Sequence, residues 1–125
     1  MDPKLIARVN GIGRAAIGVL AIADPRRMLE PWIGDDADRT TNKVLGRALG
    51  ARDLVIAAGT LQSVNDPDRL RPWLAAATLA DCVDFAATAA SGSDLPLRGR
   101  VFVMALAGSA AAMGAIALAT LDSQA

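Results

Sequence analysis

Histidine and tyrosine are absent from this 125-residue chain, cysteine occurs once, and Phe, Trp and Tyr together make up 3% of it. Each shortage removes a class of chemistry. Without His the commonest general base, the Ser-His-Asp triad and the usual zinc and haem ligands are gone. The lone Cys82 cannot close an internal disulfide, and it leaves the redox compartment open. Excess charge of either sign is missing too, since thirteen basic and thirteen acidic residues cancel. With no basic stripe, nucleic acid is not expected as a partner. No cofactor and no metal site is expected either. An enzyme ranks behind other roles, because no nucleophile–base pair or metal set is visible.

What the chain has is apolar length. Hydrophobic residues reach 53% without counting glycine, mean hydropathy is +0.34, and much of the excess is alanine. As a length prior, residues 1–125 make one domain. Proline and polar clusters cut it into four segments, 5–23, 43–64, 70–91 and 101–121. Each is close to the ~20 residues that span a bilayer core as a helix. None alternates with the period of a strand, and Ala and Leu outweigh β-branched residues, so all four are expected to be helices. The last, "VFVMALAGSAAAMGAIALATL", carries no charge. In so small a chain too little protein exists to cover a helix that is apolar all round. The expectation is therefore an all-α, membrane-embedded four-helix bundle with up-down topology, multi-pass in the cell membrane. The first segment resembles a signal peptide, ending in Ala21-Ile22-Ala23. Its glycine-interrupted basic part and Arg14 against the apolar run favour an uncleaved helix.

The charges fall on particular faces. At 100° per residue, Ala7, Gly11, Arg14, Gly18 and Ala21 share one stripe of the first segment. Gly46, Gly50, Asp53, Ala57 and Thr60 do so in the second, and Ala77, Asp81, Asp84 and Thr88 in the third. Small residues mark faces where membrane helices meet closely, and Gly46-x-x-x-Gly50 has that form. Arg14, Arg52, Asp53, Asp81 and Asp84 also lie near the centres of their segments, which predicts a midplane cluster of two positive and three negative charges. A charge at the bilayer centre costs about 2.5–3.5 kcal/mol even on a lenient scale, so these five are expected to pair. One proton neutralises the group. Arg47, nearer a helix end, is expected to snorkel to the interface.

Other patterns carry less. "GIGRAA", residues 11–16, matches a dinucleotide-binding fingerprint, but no strand precedes it and close helix packing explains its glycines. "DDAD", residues 35–38, lacks the glycine and closing glutamate of a calcium loop. Cys82 reads as inert packing. Trp32 and Trp73 flank segments and suit a membrane–water interface.

"RALGARDL" together with "WLAAATLADCVDFA" resembles the small four-helix integral membrane proteins of actinobacteria. These carry R-x-x-G-x-R-[DE] in the second helix and [GA]-D-x-x-D in the third. The matching residues are Arg47, Gly50, Arg52, Asp53, Asp81 and Asp84. The resemblance covers roughly residues 45–90; it implies the bundle and singles out the same charges, and it names no reaction.

Two roles follow. In the first, the midplane cluster serves proton- or ion-coupled transport, and since four helices are too few to enclose a pathway, the chain works as a homo-oligomer. In the second, the chain is a structural or accessory subunit of a larger membrane complex and the charges fix helix packing. Ala107, Ala111 and Ala115 of the last segment, in small-xxx-small spacing, are its expected docking stripe. Basic residues set orientation. Arg26, Arg27, Arg39, Lys43, Arg98 and Arg100 outnumber Lys4, Arg8, Arg69 and Arg71 on the opposite side, which puts both termini outside.

Overall fold

The computed structural model describes residues 1–124, and among these it is all-α, with no strand. Five α-helices follow one another: α1 (Pro3–Ala23), α2 (Pro25–Ile33), α3 (Thr40–Ser63), α4 (Pro67–Ser91) and α5 (Leu97–Gln124). The four long helices overlap the four apolar segments and extend most of them by a few polar residues. The fifth, α2, lies in a stretch that reads as a loop because it is rich in Pro, Asp and Arg.

The reason α2 forms is written at its start. Three helices, α1, α2 and α4, begin at an Asp-Pro pair. Asp2, Asp24 and Asp66 each turn a side-chain oxygen onto a first-turn N–H, of Lys4, Arg27 and Arg69 respectively. The following proline has no N–H to leave unsatisfied and a φ already helical. Pro25 and Leu29 then bury one face of α2 and half-buried Trp32 continues it one turn on, the spacing of an amphipathic helix. Gly34, at φ 67°, ends the helix in a conformation other residues resist.

The long helices alternate in direction. Gly18 faces Gly50 while Gly11 faces Leu61, so α1 and α3 are antiparallel. Gly108 faces Phe85 while Gly114 faces Thr78, so α4 and α5 are too. These two pairs close into a ring, and α2 lies across one end against α1, α3 and α5. At the other end Ile6, Ala7, Val64, Leu70, Leu74, Ala117 and Leu121 form the main apolar core.

The tightest crossing is α1 on α3. A Cβ on Gly50 would stand 2.7 Å from the Ala21 Cβ and 2.8 Å from the Gly18 carbonyl oxygen. Only backbone fits there. Gly46 instead meets α2, where a Cβ would lie 2.9 Å from Leu29. Both tryptophans pack helices: Trp73 lies over Gly59, and the Trp32 backbone lies against Gly99.

Three helical stretches, Pro3–Ala23, Pro67–Asp94 and Leu97–Ser123, are long and apolar enough to cross a membrane. Thr40–Ser63 is as long, but Lys43, Arg47, Arg52 and Asp53 make it more polar. The buried faces of α1 and α3 are the stripes that carry Arg14 and Asp53. In α5 the buried residues are Gly99, Ala107, Gly114, Ala117 and Leu121. Ala111 is half-buried and Ala115 exposed, because each i,i+4 step turns the stripe ~40° further around the helix.

Candidate functional site: an Arg/Asp cluster between two cavities

Arg14, Arg52, Asp53, Asp81 and Asp84 meet at one level of the ring. Arg14 projects from the inward face of α1, where Gly11 and Gly18 let α3 approach, and is 6% exposed. Its Nη1 donates to Asp53 Oδ1 at 2.8 Å. Its Nη2 pairs with Asp81 Oδ1 at 2.6 Å and donates to the Ala77 carbonyl at 2.9 Å. Its Nε donates to Asn10 Oδ1, one turn earlier. A single guanidinium thus joins α1 to α3 and α4.

Arg52 does the same between α3 and α4. Nη1 and Nη2 grip the two oxygens of Asp84 at 2.9 and 2.8 Å, the bidentate fork that arginine offers a carboxylate. Nη2 also donates to Asp53 Oδ1 at 3.2 Å. Asp84 therefore belongs to Arg52 and Asp81 to Arg14, while Asp53 Oδ1 is shared by both arginines. Thr88 donates to the Asp84 backbone carbonyl. Arg47 stands apart: it is exposed and its Nε donates to the Ile22 carbonyl at the end of α1.

One acceptor is left over. Of the oxygens of these three aspartates, Asp81 Oδ2 alone is buried without a hydrogen-bond partner. Asp81 is 7% exposed, and an unpaired buried carboxylate oxygen is costly unless something occupies it. Among the described residues no three His, Cys, Asp or Glu side chains stand together as a metal set.

Two cavities meet at this residue. One, of about 280 Å³, lies beneath α2 and is walled by apolar side chains of α1, α2, α3 and α5, with Arg52, Asp53, Asp81 and Asp84 in its lining. The other, of about 220 Å³, lies along the α1/α5 seam nearer the start of α1, lined by Val9, Asn10, Gly13, Arg14 and Met113. Asp81, Leu106 and Ala110 line both. Sequence reasoning marks Asp81 by its helical face. Neither its unpartnered oxygen nor the roof made by Met28, Pro31 and Trp32 is visible there, since α2 reads as loop.

This is the class of all-helical protein in which several helices could cross a membrane around a buried ionic cluster. Comparison with known families, with curated proteins and with solved structures finds no match to this chain.

Proposed function

We propose that the chain is a multi-pass protein of the cell membrane, its four long helices spanning the bilayer as an up-down bundle. In this reading the Arg/Asp cluster, at mid-depth, handles a proton in proton- or ion-coupled transport by a homo-oligomer. Support comes first from where the apolar residues face. Val9, Ile12 and Val19 of α1, Val55 of α3, Leu79 and Val83 of α4, and Val101 and Ile116 of α5 are exposed. So many large apolar side chains turned outward suit lipid better than water. The charges are turned the other way, as intramembrane ionisable groups are.

Asp81 carries the reading. With two guanidinium groups against three carboxylates the cluster holds one negative charge in excess, and its fully buried unpartnered oxygen is Asp81 Oδ2. A proton bound there makes the cluster neutral. Because Asp81 lines both cavities, it can be approached from either. Arg14 supplies the alternative partner that holds the carboxylate when the proton leaves.

The test is flux. The reconstituted protein should dissipate an imposed proton gradient in vesicles. Asp81→Asn, nearly isosteric, should stay helical and monodisperse while losing that flux. A second reading, an accessory subunit held in a larger complex, is favoured by the way Arg14 and Arg52 tie three helices together. It predicts that Asp81→Asn lowers folded yield with no separable activity.

A further inference from the structure

The larger cavity has a composition of its own. Two of the chain's four aromatic side chains, Trp32 and Phe102, stand in its wall. Ile17, Leu20, Met28 and Leu106 supply most of the remaining apolar surface. At about 280 Å³ it lies just below the usual range of ligand pockets, roughly 300–1,000 Å³. Its charged lining is Arg52, Asp53, Asp81 and Asp84, from the cluster that carries one surplus negative charge, together with Arg27. An anion would meet that charge, and a neutral ligand would leave it uncompensated. Aromatic faces beside a carboxylate are the surroundings that quaternary ammonium groups prefer.

We propose that this cavity binds a small lipophilic organic cation, of the quaternary ammonium class, in exchange for the proton on Asp81. The inference rests on the proton-handling reading of Asp81 and adds the substrate class. The exchange balances: the Asp81 O–H bond ionises, the proton leaves to solvent, and the bound cation takes over neutralisation of the cluster. The charged groups around Asp81 are Arg14 from α1, Arg52 and Asp53 from α3, and Asp84 from its own helix. Arg27 of α2 stands in the lining with an exposed guanidinium near Asp24. From α5 the lining is uncharged. The two inner arginines are committed to carboxylates, so the surplus charge stays with the aspartates.

The test uses benzyltrimethylammonium, whose charge is permanent, on the purified full chain in weakly buffered detergent with a pH indicator. Titration without ligand should first show one bound proton per chain that Asp81→Asn lacks. Addition of benzyltrimethylammonium should then release that proton, with binding weakened about tenfold for each pH unit lowered below the titration midpoint. Ile17→Trp, which adds bulk at an uncharged position of the cavity wall, should keep the proton and weaken the release. Phe102→Leu should weaken binding about threefold, in line with one exposed cation–π contact. Saturating ligand that releases no proton from a chain shown to carry one would overturn the inference and leave the proton reading standing. So would equal binding by Ile17→Trp. A chain with no Asp81-dependent proton removes both.

Discussion

Arg14→Leu removes the group through which α1 holds α3 and α4, and the structure fixes what is left behind. Asp53 keeps Arg52, at 3.2 Å. Asp81 keeps nothing, because its Oδ1 has Arg14 as its ion-pair partner at 2.6 Å and its Oδ2 has no partner at all. At a pH where Asp81 is ionised, breaking this buried pair strands its charge and costs about 3–5 kcal/mol. Against a total stability of about 5–15 kcal/mol that is a large loss. The double variant Arg14→Leu/Asp81→Leu strands no charge and should therefore be more stable than Arg14→Leu alone. Arg14→Leu/Asp53→Leu should recover less, since it leaves Asp81 unpaired and frees part of Arg52. Unfolding in mixed micelles, followed by circular dichroism, gives the cycle for each pair. The reasoning fails if the Arg14 and Asp81 losses simply add, within about 0.5 kcal/mol, as they do for sites that do not interact.

Other consequences can be checked alongside. A cycle on Arg52→Leu should show coupling with Asp84→Leu and little with Asp81→Leu, because the fork at 2.8 and 2.9 Å closes on Asp84; the reverse order would mean a different pairing. Gly50→Val should lose about 1–3 kcal/mol by overpacking, as even a Cβ there would stand 2.8 Å from the Gly18 carbonyl oxygen; a neutral outcome would show that α1 and α3 do not cross so closely. Alkaline carbonate should leave the protein in the membrane pellet, and release into the supernatant would contradict the bilayer-spanning reading. A C-terminal reporter active only in the cytoplasm should stay silent, and strong signal would invert the orientation.

Much of this arrangement is legible in the sequence, for a physical reason. A 3.6-residue period projects Gly11, Arg14 and Gly18 onto one side of α1, and Gly50, Asp53 and Ala57 onto one side of α3. Those are the sides the structure buries. Between Val101 and Leu121 of α5 the projection has no charged residue to mark a face, so a stripe through Ala107, Ala111 and Ala115 is hard to tell by residue type from Ala107, Gly114 and Ala117. Burial there is decided by α4 and α1, which the helix's own sequence does not contain. The α2 helix was hidden differently. Pro25 and Pro31 read as breakers, yet Pro25 sits where a helix tolerates it best, with Asp24 before it as the cap. Which arginine meets which aspartate depends on helix rotation and height to within an ångström or two, and no periodicity supplies that. The sequence marks five charges; only the packed helices show Asp81 Oδ2 left over.

The central claim is that Asp81 is the group that takes up and releases a proton inside a membrane-spanning bundle. Infrared difference spectroscopy on the protein in lipid bilayers, between alkaline and acid pH, reads this directly through the carbonyl stretch of a protonated carboxyl. The account predicts one buried carboxylic acid band that grows on acidification and is lost in Asp81→Asn. A band that survives Asp81→Asn, or a spectrum with no buried carboxylic acid at any pH where the protein stays folded, would contradict it.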